Sequence, residues 1–185
     1  MSRLLEYRYF LEYRYFFIVF NYNMACCYYI PLLVKDNQYK FLLCRNKMTE
    51  EWMAVHSFVD PEDGGAYESA LRGALETTHG TLSISSNERD SASEDSILFK
   101  VEVSSDLVSN LATYFFVKTA LTEDYPTYLT SLFMYQIKKK GVIHPDDFDR
   151  ARWFTIDEVF SFKNVSFQLK QILLENQNMF HNDLH

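Results

Sequence analysis

The chain predicts an α/β fold built as one domain, with β-rich runs first, an amphipathic helix dividing them from a second β-rich set, and helices at the end. Three observations carry that expectation. A length of 185 residues with 48% apolar and aromatic side chains suits a single core. Between Tyr67 and His79, Ala70, Leu71, Ala74, Leu75 and Thr78 return to one side at a helical period, while Glu68, Ser69, Arg72, Gly73, Glu76 and Thr77 occupy the rest. Further on, Thr155 precedes Glu158 at the spacing where hydroxyl and carboxylate each bond the other's backbone at a helix start.

In chain order, residues 25–34 read as a strand closed by the turn residues Lys35-Asp36-Asn37, and residues 39–44 follow at hairpin distance. Residues 52–59 form another short strand, broken by the turn chemistry of Asp60-Pro61-Glu62-Asp63-Gly64-Gly65. The helix of residues 67–79 stops at Gly80. Residues 83–95, polar and serine-rich, read as a surface loop. Residues 97–103, 112–119 and 128–137 are rich in β-branched and aromatic side chains and read as strands. A turn at Asp124-Tyr125-Pro126 separates the last two, and Lys138-Lys139-Lys140 marks a strand end. The helix capped by Thr155 leads to a final helix over residues 166–179 with Leu169, Ile172 and Leu173 inward.

Charge and cysteine usage exclude several classes. A formal charge of −7 argues against duplex DNA as a partner, because that affinity rests on clustered Lys and Arg at phosphates. Cys26 and Cys27 are adjacent and Cys44 stands apart, which fits neither a zinc knuckle nor a redox motif and suits a reducing, cytoplasmic setting. The longest apolar stretch, residues 24–34, contains Pro31 and falls far short of the roughly 20 residues of a membrane helix, so no membrane role is expected.

Residues 1–23 read as an aromatic extension ahead of a domain over residues 24–185. Residues 5–10 and 11–16 repeat Leu-Glu-Tyr-Arg-Tyr-Phe, and Glu6 and Glu12 argue against a mitochondrial presequence. Three readings stand side by side. The segment packs its aromatic face on the domain, or it docks a protein assembly, or Met24 is the true start.

The run Ser57-Phe58-Val59-Asp60-Pro61-Glu62-Asp63, then Tyr67-Glu68-Ser69-Ala70-Leu71-Arg72, Glu76 and Gly80, resembles the box of the Nudix hydrolases. Within that superfamily the chain is most similar to diadenosine tetraphosphate hydrolases, whose Tyr-Arg-Trp-Leu is matched by Ala151-Arg152-Trp153-Phe154 and whose amino terminus is matched from Met24. The resemblance implies an α/β/α sandwich, a mixed β-sheet flanked by helices, and a magnesium-dependent attack of water on a phosphoanhydride. Such a site needs convergent oxygen ligands, which Glu residues at i, i+3 and i+4 of one helix supply.

The box is degenerate. Those three slots are Gly73, Glu76 and Thr77, the opening Gly is Ser57, and the early Glu is at best Asp63 with one residue inserted behind it. Gly73 supplies no ligand and costs about 1 kcal/mol relative to Ala inside a helix. By resemblance Arg72 pairs with Glu62 or Asp63, and Asp147, near the position of a further family acid, joins Glu76 and Asp63 as the metal candidates. An exposed acidic turn of Asp146, Asp147 and Asp149 is the plainer reading of that stretch. For base stacking the candidates are Tyr114, Phe116, Tyr128 and Tyr135, and for phosphate Lys118 and Arg45, set against the commoner role of strand aromatics as core.

The expected function is an impaired Nudix-fold protein that binds an adenine nucleotide or dinucleoside polyphosphate, a protein partner, or both. The alternatives are a working asymmetrical dinucleoside tetraphosphatase, with Mg2+ on Glu76, Asp63 and Asp147, and a structural subunit of a larger assembly.

Overall fold

Strand alternation sorts the buried side chains of this chain onto two faces of one mixed sheet. The structure, a computed structural model, describes residues 25–82, 97–104 and 111–181. The aromatic extension and the serine-rich stretch of residues 83–95 lie outside the described residues.

Among these, seven strands pair: β1 (Cys26–Lys35), β2 (Gln38–Asn46), β3 (Trp52–Met53), β4 (Val55–Phe58), β5 (Ile97–Ser104), β6 (Leu111–Lys118) and β7 (Phe148–Thr155). The main path runs β3-β2-β1-β6-β5, with β4 added on β1 and β7 on β2. The β1–β6 pair is parallel and the rest are antiparallel. The expected third strand is split, since Ala54 separates β3 from β4. Asp36 and Asn37 take positive φ of 51° and 55° and turn β1 into β2, as short polar side chains tolerate.

One layer holds α1 (Ala66–Thr77) and α2 (Tyr125–Lys140) over Cys27, Tyr29, Leu42, Cys44, Phe115 and Trp153. The other holds α3 (Ile156–Ser161), α4 (Phe167–Glu175) and α5 (Gln177–His181) over Ile30, Leu32, Phe41, Leu43, Phe116 and Phe154. Thr155 caps α3 in the reciprocal arrangement with Glu158 that their spacing predicts. Leu169, Ile172 and Leu173 point inward from α4, which ends at Asn176, so the single final helix expected is two.

Residues 128–137 are not a strand but the body of α2. Pro126 sits in its first turn, where a missing N–H costs nothing, and Gly141 closes it at φ +70°. Lys138, Lys139 and Lys140 therefore occupy the last helical turn, where cations meet the negative end of the helix dipole, instead of a strand end. Leu129 and Phe133 are buried against β7 and its neighbours, the spacing of one helical face.

Candidate functional site

The loop after β4 and the helix α1 form one hydrogen-bonded unit. The Asp60 N–H donates to Ser69 Oγ at 3.0 Å, and that hydroxyl donates to Asp63 Oδ2 at 2.6 Å. Arg72 Nε donates to both Asp63 oxygens at 3.2 and 3.0 Å, and its Nη2 reaches the Phe58 carbonyl at 3.3 Å. Of the two acids expected to meet Arg72, Asp63 is the one it grips. Donation from Ser69, with Arg72 adding to it, holds the Asp63 carboxyl below its usual range.

On the same helix, Glu76 lies one turn beyond Arg72, with 3.6 Å between Nη1 and Oε1. Gly73 faces the sheet, and a Cβ built there would stand 2.7 Å from Ser57 Cβ and 3.1 Å from the His56 carbonyl oxygen. The helix ends with the His79 N–H on the Glu76 carbonyl and the Gly80 N–H on the Leu75 carbonyl, at 3.2 and 2.7 Å. That is the closing pattern in which the first residue past the cap is left-handed, so His79, at φ +53°, takes the place a glycine ordinarily fills, and Gly80 follows at +73°.

Asp147 and Asp149 are not an exposed turn. Both are buried. Asp147 accepts from Lys140 Nζ and from the His144 N–H, the latter at 2.6 Å, which ties the end of α2 to the approach of β7. Arg45 and Asp149 form a two-pronged pair across β2 and β7, with 2.9 Å at Nε and 2.5 Å at Nη2. Burial works to raise the Asp149 carboxyl, but Arg45, with Lys47 and Arg150 adding charge, leaves it lower than usual. Arg45, a phosphate candidate, thereby has two of its donors on a carboxylate.

Tyr114 and Phe116 are core side chains, buried from β6 on the α3–α5 side. Tyr114 is covered by Tyr28, whose ring stacks on it at 4.3 Å and 3°. Tyr128 and Tyr135 stand exposed on α2, and Lys118 is exposed at the end of β6. The stacking and phosphate candidates are therefore not gathered in one place.

An open groove of about 320 Å³ lies on the sheet face opposite α1, a feature the sequence reading missed. Its aromatic walls are Tyr28, His56 and Phe167, and its polar groups come from Glu51, Ser166 and Gln168. The β1–β4 register sets Tyr28 opposite His56, and their rings lie 5.3 Å apart. Backbone bonds from Trp52 to Asn164 and from Ser166 to Trp52 bring the start of α4 to the rim, where Tyr28 Oη donates to Gln168 Oε1 at 2.9 Å. No motif announces this groove, because its walls come from β1, β3, β4 and α4.

These residues do not suit a multi-ligand metal centre. Asp63 is engaged by Ser69 and Arg72, Asp147 by Lys140 and a backbone N–H, and Gly73 and Thr77 bring no carboxylate. Among the described residues no three His, Cys, Asp or Glu side chains converge to hold an ion. Thiol chemistry is also disfavoured, since burial pushes Cys27 and Cys44 up to about 12. Among the described residues no helix is long and apolar enough to cross a membrane.

A mixed sheet between helical layers is the Nudix fold, and the solved structures this chain resembles carry it. They include the NUDIX domain of Shewanella oneidensis NrtR complexed with ADP ribose, at TM-score 0.51 and 12% identity, over 87% of this chain and 90% of that one. An Ap4A hydrolase binary complex from C. elegans matches at TM-score 0.51 and 10% identity, over 83% and 96%. A bifunctional NMN adenylyltransferase/ADP ribose pyrophosphatase from Francisella tularensis, complexed with AMP and a manganese ion, matches at 0.54 and 14%, over 93% of this chain and 47% of that one. No protein-family model matches the sequence, and no curated protein does. At such identities the likeness establishes the fold, in agreement with the sandwich that the box implies.

Proposed function

We propose that this is a degenerate Nudix-fold protein, impaired as a hydrolase, that binds an adenine nucleotide or dinucleoside polyphosphate through the inherited fold. One observation carries the reading: of the three candidate metal-binding acids, Asp63 and Asp147 are engaged in structure and Glu76 stands without companions. Asp63 locks the loop to α1, Asp147 locks the end of α2, and Glu76 stands on the helix with Gly73 and Thr77 where companion carboxylates are needed. Cleavage of a phosphoanhydride calls for cations that neutralise phosphate oxygens and activate water, and one carboxylate beside a guanidinium holds such cations weakly.

The groove supports the binding half of the reading. Tyr28 stands in an aromatic row between Tyr114 and His56, at ring distances of 4.3 and 5.3 Å, and the edge of that row together with exposed Phe167 gives a planar base apolar contact in the groove. Gln168, whose Oε1 already accepts from Tyr28, and Glu51 add polar partners for a base edge. ADP ribose, AMP and Ap4A, named with the structural neighbours, share adenine, which favours that base here.

Calorimetric titration of the full-length protein with ATP and with a non-hydrolysable dinucleoside polyphosphate, in magnesium and in chelator, tests this. Binding is expected to persist in chelator, and Tyr28→Ala is expected to weaken it about tenfold, a loss of about 1.4 kcal/mol from the groove wall. Binding that requires magnesium and vanishes in Glu76→Gln contradicts the proposal.

A further inference from the structure

Helix α1 approaches β4 more closely than any side chain at position 73 permits. The obstruction is not a mobile side-chain tip. Ser57 Cβ, at 2.7 Å from the position a Cβ on Gly73 would take, is fixed to a strand that pairs with β1, and the next contact at 3.1 Å is the His56 backbone carbonyl. On that same face α1 is anchored to the sheet by buried Ala70 and Ala74, and the Arg72–Asp63 lock ties it to the loop after β4. Moving the two apart far enough to clear Ser57 disturbs that anchoring.

We infer that Ser57 and Gly73 form an interlocking pair, in which the strand's Cβ fills the space that a helical side chain at 73 requires, so that position 73 cannot carry a metal-binding carboxylate while Ser57 is present. Positions 73, 76 and 77 share a helix edge, and an ion bound by Glu76 needs its further ligands from there. Thr77 is half-buried, whereas Gly73 is buried and closed off by the strand. The loss at 73 is thus a matter of strand-to-helix distance as well as of residue identity. Ser57 acts as a positioning residue for the whole box. This deepens the impaired-hydrolase reading, and it stands or falls on a separate experiment.

The test is a double-mutant cycle on the full-length protein, read as denaturation midpoints. In an unobstructed helix, Gly→Ala raises stability because alanine has the higher helix propensity. Gly73→Ala alone is expected to lower the midpoint or prevent folding, and the same substitution on Ser57→Gly is expected to raise the midpoint above that of Ser57→Gly, after a small shift relieves the His56 contact. A metal readout separates sterics from stability. Manganese binding, followed by the paramagnetic resonance of the free ion, is expected to be at least ten times tighter in Ser57→Gly/Gly73→Glu/Thr77→Glu than in Gly73→Glu/Thr77→Glu. A Gly73→Ala midpoint at or above that of the parent overturns the inference, as does failure of the double variant to recover. Equal manganese affinity in the two Glu-bearing variants also overturns it. Magnesium-dependent turnover by the unaltered protein sinks the functional reading and leaves the cycle intact.

Discussion

Arg45 shows how a residue's role is decided by partners that sequence spacing hides. Read along the chain it is a cation at the end of a strand, available for phosphate, but its carboxylate partner Asp149 is 104 positions away and is delivered by the β2–β7 register. Arg72 was more legible, since its partner lies on the adjoining loop and the box places the two together. With Asp149 buried, Arg45→Met leaves a carboxylate without its counter-charge, at an expected loss of about 2–3 kcal/mol in denaturant unfolding. The sign of the pH dependence follows from the lowered carboxyl. Stability from the pair is present above the ordinary value of 3.8 and is lost as pH falls through the lower value of the folded state. The gap between parent and Arg45→Met therefore narrows on acidification, and a gap that stays constant down to pH of about 2 contradicts this assignment.

At the scale of elements, the box helix was legible and α2 was not. Residues 67–79 present a clean apolar stripe, and α1 forms there within two residues at each end. Residues 128–137 mix Tyr, Thr, Phe and Ile with an outer face that carries exposed Tyr128, Met134 and Tyr135, so composition speaks for a strand while the packing is helical. The signal that finds it is the spacing of Pro126, Leu129 and Phe133, with Gly141 as the stop. The sequence predicts Gly80 as the stop of α1, whereas the residue just beyond its cap is His79. Holding an ordinary side chain at φ +53° costs energy that glycine avoids, so His79→Gly is expected to raise stability by about 1 kcal/mol. An unchanged or lowered denaturation midpoint runs against that geometry.

Across the whole molecule, the order of elements and the box together were enough to imply a mixed sheet between helices, and that sandwich is what the chain forms. The groove was illegible because its walls meet only after β1, β3, β4 and α4 assemble, with Tyr28 and Phe167 far apart along the chain. The sheet also separates the two features of interest. Ser57 faces α1 and its box, while neighbouring His56 faces the groove, as alternate residues of a strand must. A base held in the groove and a phosphate near Glu76 therefore lie on opposite faces of the β1–β4 ladder, an arrangement suited to retention more than to metal-assisted cleavage.

Magnesium-dependent release of phosphate-containing products from dinucleoside tetraphosphate and ADP ribose by the purified full-length protein, measured alongside Glu76→Gln, tests that claim most directly. The account predicts the same background rate for both proteins, with and without magnesium. Turnover that requires the cation and disappears in Glu76→Gln contradicts it.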